Sequence, residues 1–328
     1  MEDKHFVYVA RKLPEEELES LREIAEIEMW DKEEEPVPRS VLLEKAERAD
    51  ALLTMLSDRV DEELLERAQN LKTVSNMAVG YDNIDVEAAT GHNVIIGHTP
   101  DILTDTTADL AFTLLLASAR RIVEASEIVK EGRWAHWSPF FMAGSDVHHK
   151  TIGIVGMGRI GEAVAKRAKG FDMEILYHNR SRKPEAEEQL NAVYCDFEEL
   201  LKRSDFVVCL TPLTEETRHL FNKAAFQAMK PEALFINVAR GAVVDEKALY
   251  EALKEGEIAG AGLDVFEKEP IPADHPLLSL KQVTALPHIG SASTETRHLM
   301  ARTAVENIFH VLSDRPEEAK VVNSDVLS

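Results

Sequence analysis

At 328 residues, with 45% apolar and 29% charged side chains, the chain is too long for one ordinary domain and too evenly balanced for a disordered or collagen-like one. At about 150 residues per domain it predicts two, each able to bury a core without disulfides. Its 59 acidic residues against 37 basic ones leave a net charge of −22, a surface that repels nucleic acid and anionic lipid, so neither is an expected partner.

Taken in chain order, HFVYVA, ALLTML, LKTVSNMA and NVIIGHT read as strands over residues 4–98, with EIEMW a weaker candidate. PEEELESLREIA, SVLLEKAERA, DEELLERAQ and DVEAAT read as the helices between them, a strand–helix alternation that predicts a parallel sheet covered on both faces. DKEEEP reads as a helix-like acidic face. Residues 104–132 form one long helical pattern without proline, too long for so compact a domain unless it bridges something. A second alternation starts at TIGIV and runs through MEILYH, FVVCL, ALFINVA, IAGAGLDVF and QVTALP. A last amphipathic stretch, 291–312, resembles 104–132 in length, and the tail ending VVNSD is expected to return to the first domain. The fold class expected is α/β: two doubly wound parallel-sheet domains joined by two long helices.

Cys195 and Cys209 lie in or beside apolar runs and read as buried thiols of a reducing compartment. MEDKHFVYVA has no basic-then-apolar leader, and the longest apolar run, 110–119, is about half of the roughly 20 residues a membrane span needs. The expectation is a soluble, cytoplasmic protein without a membrane partner.

Gly156-Met157-Gly158-Arg159-Ile160-Gly161 fits G-x-G-x-x-G, following a β-rich strand and opening a helix, which is the context a dinucleotide fingerprint requires. Such glycines let the backbone approach a pyrophosphate that rests on a helix N-terminus. The next strand ends at Asn179 where an Asp or Glu would hold both ribose hydroxyls of NAD, and Arg180, Ser181, Arg182 and Lys183 follow. With no carboxylate to repel a 2′-phosphate and three cations and a hydroxyl to bind one, NADP (as NADPH) is the cofactor expected and NAD the weaker alternative.

Ligands of open α/β sheets bind outside the carboxyl ends of the strands. Arg240 follows ALFINVA, Glu269 follows IAGAGLDVF and His288 follows QVTALP, so a shared edge brings the three to one crevice. Each has a plain structural explanation taken singly; together they suit carbonyl reduction. A hydride acceptor becomes an alkoxide that needs a proton, which His donates near neutral pH. A neighbouring carboxylate stabilises imidazolium and orients the ring, and Arg offers a rigid fork to a carboxylate or keto oxygen.

The motifs NMAVGYDNIDV, TDTTADLAFTLLLA, GIVGMGRIG, YHNRSRKP, NVARG, GLDVFEKEP and PHIGSAS, in this order over nearly the whole chain, resemble the D-2-hydroxyacid dehydrogenase family, in its glyoxylate/hydroxypyruvate reductase branch. The resemblance implies a Rossmann-type cofactor domain (101–290) inserted in a flavodoxin-like substrate domain (1–100 plus 291–328). It makes Arg240, Glu269 and His288 the catalytic set: His288 the acid/base, Glu269 its partner, Arg240 the substrate anchor. It gives the substrate carboxylate to the backbone of Val79 and Gly80, with Leu56 lining the same pocket. Thr107, Thr211, Pro212, Val238, Ala239, Ile289 and Gly290 would touch the cofactor, and Asp264 would bond the nicotinamide carboxamide. Asp109 departs from the pattern, standing where many relatives carry Glu.

The stretch 132–149 packs two Trp and two Phe into an expected loop, and the resemblance has this region reach a partner subunit of a homodimer, Trp137 entering the neighbouring active site with Trp134 as the second choice. His148-His149 lacks a third ligand at metal spacing, so no metal is expected. The activity implied is reduction of small 2-keto acids, glyoxylate and hydroxypyruvate foremost and 2-ketogluconate a further candidate. The rivals are an NAD-linked D-lactate or phosphoglycerate dehydrogenase and a non-catalytic dinucleotide-sensing protein.

Overall fold

The structure, a computed structural model, describes residues 4–327. The chain forms two compact units, one running to Leu103 and resuming at Ser293, the other spanning Thr104–Ala292.

In the first unit β1 (His5–Val9), β2 (Ala25–Met29), β3 (Ala51–Thr54), β4 (Thr73–Asn76) and β5 (Ile95–Gly97) pair in parallel in the order β2-β1-β3-β4-β5, which is the flavodoxin-like winding. β1 and β3 are buried on both faces because helices cover each side. Leu42, Leu43, Leu64 and Leu65 pack on one face, and Leu18, Leu21, Met300 and Ile308 on the other. The weak candidate EIEMW is the edge strand β2, whose exposed Glu26 and half-buried Glu28 alternate with Ile27, charge that blunts an open edge. The tail does return: Val321 bridges Gly97, and Ile96 N–H donates to Asn323 Oδ1 at 2.8 Å.

The second unit holds β6 (Thr151–Val155), β7 (Glu174–His178), β8 (Val193–Tyr194), β9 (Phe206–Cys209), β10 (Leu234–Asn237), β11 (Gly260–Leu263) and β12 (Val283–Ala285). They are all parallel, in the order β12-β11-β10-β9-β6-β7-β8. The chain enters at β6 and winds outward in both directions, so the strand order reverses between β6 and β9. Register aligns the strand ends in one transverse row of His178, Val155, Cys209, Asn237, Leu263 and Ala285. Residues just past that row therefore share one edge of the sheet.

Three expectations are corrected. The pattern at 104–132 is two helices, Thr104–Ala119 and Ile122–Lys130. Ala119 O accepts from Ser145 N–H at 2.8 Å, and Arg121 turns left-handed at φ 52°. The long helices are not connectors either. Thr104–Ala119 packs on the helix Arg159–Lys169 and on β10 and β11 of the second unit, while Thr294–Leu312 packs on β4 and the helix Glu19–Ile24 of the first. DKEEEP is irregular chain: three consecutive glutamates with no apolar stripe and a proline behind them give a helix nothing to bury.

Candidate active site

The glycine turn follows the buried end of β6. Gly156 has φ +105°, and a Cβ there would stand 2.6 Å from Leu210 C and 2.7 Å from Thr211 N. Only glycine fits, because the loop after β9, which carries Thr211 and Pro212, crosses at this point. Met157 is buried. Gly158 precedes the helix Arg159–Lys169 without capping its N–H groups by a side chain, and apart from its own chain neighbours no atom of the described residues lies within 4 Å of the place its Cβ would take. Arg159, Ile160 and Gly161 form the first turn, so the uncapped N–H groups open on free space.

Past the transverse row the other strand ends deliver the remaining residues. Asn179 follows β7, and its amide clamps the glycine turn: Met157 N–H donates to Asn179 Oδ1 at 2.7 Å and Asn179 Nδ2 donates to Met157 O at 3.2 Å. Val238, Ala239 and Arg240 follow β10, held by Asn237, whose Oδ1 accepts from Ala239 N–H and whose Nδ2 donates to Arg240 O, both at 3.0 Å. Gly241 comes next; a Cβ on it would lie 1.8 Å from Phe266 C. Glycine here brings the Arg240 turn against the loop leading to Glu269.

Asp264, at the end of β11, is 1% exposed. Its Oδ1 accepts from Ile289 N–H at 2.7 Å and its carbonyl from His288 N–H at 2.9 Å, while Oδ2 is buried with no hydrogen-bond partner among the described residues. Burial raises its pKa above the ordinary aspartate value. The Cβ position of Gly290 is 3.2 Å from that orphan oxygen and 3.5 Å from Thr107 Cγ2.

His288 Nδ1 lies 2.7 Å from Glu269 Oε2, and Glu269 Oε1 accepts from Phe266 N–H at 2.9 Å. Burial opposes ionisation of Glu269. The His288 hydrogen bond and charge, the Phe266 N–H and the charge of Arg240 outweigh it, so its pKa lies below the ordinary value. An imidazole so held can exchange a proton through Nε2. Arg240, Glu269 and His288, 29 and 19 residues apart in sequence, thus stand on one sheet edge, the first two close enough for Arg240 to act on Glu269.

The basic loop is less open than its sequence reads. Arg180 and Ser181 are exposed, but Arg182 forms a two-pronged pair with Glu187, Nε to Oε1 at 3.0 Å and Nη2 to Oε2 at 2.6 Å. Asn179 does stand where a carboxylate would hold the ribose, but of the three cations expected to be available Arg182 is already paired. Asp109, the departure from the family pattern, accepts from Arg167 Nε at 2.7 Å.

In the first unit Leu56 follows β3, and Val79 and Gly80 follow β4, on the carboxyl edge of their own sheet. Val79 and Gly80 N–H groups donate no hydrogen bond among the described residues. Sequence reasoning missed what shapes these loops. Asn76 Nδ2 donates to Gly80 O at 3.0 Å, and Asn83 Nδ2 donates to Met55 O at 3.1 Å and Asp58 O at 2.8 Å. His98 Nδ1 lies 3.1 Å from Val79 O. The signal was an asparagine on each side of the VGYD turn.

Trp134, Trp137, Phe140 and Phe141 are exposed, Phe140 at 87%, in irregular chain. His148 and His149 are exposed, their rings edge to face. Among the described residues no three His, Cys, Asp or Glu gather to hold a metal ion, and no helix is long and apolar enough to cross a membrane. Both cysteines are free thiols, and burial pushes the Cys209 pKa up to about 12.

An uncapped helix over an open glycine turn suits a pyrophosphate, and a buried unpartnered carboxyl oxygen suits an amide donor. The residues therefore fit a nicotinamide dinucleotide. A switch-point sheet with this turn and a histidine–carboxylate pair at its edge defines an NAD(P)-dependent oxidoreductase. Residues 112–290 match the family model described as D-isomer specific 2-hydroxyacid dehydrogenase, NAD binding domain. The glyoxylate reductase of Thermococcus gammatolerans is 53% identical over 307 residues, 92% of this chain and 91% of the relative. A crystal structure of a Thermus thermophilus protein superposes with TM-score 0.90 at 45% identity, covering 97% of this chain and 100% of that one. The NADPH-dependent glyoxylate/hydroxypyruvate reductase of Sinorhizobium meliloti, solved with NADP and malonate, gives TM-score 0.83 at 32% identity, with 94% of each chain covered. The chain belongs to the D-2-hydroxyacid dehydrogenase family.

Proposed function

We propose that the protein reduces small 2-keto acids to D-2-hydroxy acids with NADPH in preference to NADH, glyoxylate and hydroxypyruvate being its foremost substrates and 2-ketogluconate a further one. The observation that carries the chemistry is the His288–Glu269 pair: with Nδ1 engaged at 2.7 Å, Nε2 is the ring atom left to deliver a proton. The dinucleotide supplies the hydride. His288 protonates the keto oxygen as negative charge gathers there, Glu269 fixes the ring and offsets its positive charge, and Arg240 pairs with the acid. Val79 and Gly80 offer two unengaged N–H groups to the substrate carboxylate, with Leu56 beside them on the same edge. Thr107, Thr211, Pro212, Val238, Ala239 and Gly290 line the dinucleotide path, and Asp264 takes the nicotinamide carboxamide. The NADPH preference rests on the missing carboxylate at Asn179 and on the exposed Arg180; similarity to the NADPH-dependent Sinorhizobium enzyme supports it.

The acid-rich surface and reducing-type thiols suit the cytoplasm, and the exposed aromatic segment suits a homodimer, since Trp, Phe and Met are the residues that interface cores favour. Trp137 then reaches the partner's substrate site. The deciding experiment is one spectrophotometric panel of NADPH and NADH against glyoxylate, hydroxypyruvate, pyruvate and 2-ketogluconate. Turnover of pyruvate with NADH above all else would overturn both the substrate and the coenzyme assignment. Sedimentation and a Trp137→Ala variant test the assembly: a dimer whose KM for glyoxylate rises in the variant is expected, and a monomer at assay concentration refutes it.

A further inference from the structure

The loop that follows β7 is stapled from below. Tyr177 is fully buried, its hydroxyl donates to Glu187 Oε1 at 2.6 Å and accepts from Lys183 N–H at 2.7 Å. Glu187, on the helix Pro184–Leu190, so receives hydrogen bonds from two sides: Tyr177 from the interior and Arg182 from the surface. The two partners differ in freedom. The Arg182 side chain is 65% exposed and Glu187 19%, so the arginine is the mobile member and the carboxylate the anchored one. Arg180, two residues earlier, has no hydrogen bond or ion pair among the described residues; its field reaches Glu216.

A guanidinium fork grips a carboxylate and a phosphate in the same two-pronged way, so it serves one at a time. We propose that Glu187 sets the strength of coenzyme discrimination by competing with the 2′-phosphate of NADP for Arg182, leaving Arg180 as the uncontested phosphate cation. The proposal rests on the NADP reading above and goes beyond it by naming a carboxylate that weakens the preference. When Arg182 turns to a phosphate, Glu187 keeps the Tyr177 hydroxyl, so the loop holds its shape while the pair opens. NAD has no 2′-phosphate, leaves the pair closed and is indifferent to Glu187.

Calorimetric titration of the full chain with NADP+ and with NAD+ tests this in six forms: wild type, Glu187→Gln, Glu187→Ala, Arg182→Ala, the Glu187→Gln/Arg182→Ala double variant and Arg180→Ala. Gln keeps an acceptor for Tyr177 and removes the charge. Glu187→Gln should tighten NADP+ by about two- to fivefold, the scale of one exposed charge pair, and leave NAD+ unchanged within error. The gain should vanish in the Arg182→Ala background, and Arg180→Ala should weaken NADP+ alone. If Arg180→Ala is selective for NADP+ but Glu187→Gln gives no gain, the NADP reading stands and the role of Glu187 is overturned. If Arg180→Ala and Arg182→Ala weaken both dinucleotides alike, the NADP reading itself fails. Should Glu187→Gln and Glu187→Ala both loosen NAD+ as much as NADP+, Glu187 is a structural staple and nothing more.

Discussion

Two corners of the second sheet's carboxyl edge are built on opposite plans. At the β11–β12 end, Asp264, Glu269 and His288 are held by backbone: Ile289 N–H on Asp264, Phe266 N–H on Glu269, and the Asp264 carbonyl on His288 N–H. At the β7 end, Arg182 lies on the surface and is held by Glu187 alone, a carboxylate that the buried Tyr177 anchors from below. Groups that move protons must stay within a fraction of an ångström of their partners, and buried backbone bonds provide that. Groups that choose between two nearly identical coenzymes need only a difference in free energy, and an exposed, exchangeable charge pair provides that. One edge thus carries a rigid half and an adjustable half.

The sharpest way to break the rigid half is to remove its proton carrier. His288→Ala should lower kcat for glyoxylate by about 10²–10⁴-fold while NADPH still binds, measured by steady-state rates beside a coenzyme titration. A loss of coenzyme binding as large as the loss of rate would mean that His288 supports the fold of the site and not its chemistry. Gly241→Ala attacks the same corner through packing. Its Cβ would fall on the Phe266–Glu267 peptide, so the Glu269 loop must shift, and a displacement near 1 Å is worth about 10²-fold in kcat. If the coenzyme preference is set at the other corner, as proposed, it should not change; a changed NADPH/NADH ratio in this variant would tie the two corners together.

A pH profile probes the pair directly. The Glu269 pKa lies below its ordinary 4.5 because the His288 bond and nearby positive charge outweigh burial. A depressed carboxylate pKa means that the group is ionised above the ordinary value and keeps its charge as pH falls, losing it only below 4.5. Any acid limb of kcat/KM for keto-acid reduction that reports Glu269 should therefore be centred below 4.5 and be absent in Glu269→Gln. An acid limb centred above about pH 5, a carboxylate's ordinary range or higher, and untouched by the Gln substitution would remove Glu269 from this role.

Much of the rigid corner was legible in the sequence because it is tied to strand ends, and strand ends follow from apolar runs. Arg240, Glu269 and His288 were found by position alone. The adjustable corner was not, since its key contact joins Arg182 to one glutamate among the three of PEAEEQ, and only the buried Tyr177 beneath tells Glu187 from its neighbours. The break at Arg120-Arg121 hid for a related reason: no proline or glycine marks it, and the group that ends the helix, Ser145 N–H, lies well beyond it along the chain. The loops after β3 and β4 were named only through the family resemblance, and the asparagines that shape them are ordinary polar residues until the sheet places them together.

Salt should separate the two corners by the smallest and most selective effect. Both coenzymes carry a pyrophosphate, whose contribution cancels in the ratio of their KM values. The −22 chain repels the more negative NADPH more strongly, but at 0.1 M the Debye length is already about 10 Å, so most of that distant repulsion is screened before the range begins. What remains, on the proposed NADP reading, is the contact of the 2′-phosphate with the exposed Arg180. The Debye length falls from about 10 Å at 0.1 M to about 3 Å at 1 M, which screens exposed pairs far more than half-buried hydrogen-bonded ones. Between these limits KM for NADPH relative to NADH should rise about two- to fivefold, the range open to an exposed contact of about 1 kcal/mol or less. The kcat, assigned in the proposed function to His288 and Glu269, should move little over the same range. The rise should shrink in Arg180→Ala and grow in Glu187→Gln, where a second exposed arginine joins the contact. A kcat that falls with salt while the KM ratio stays level would reverse the assignment, making the proton-transfer corner the exposed one.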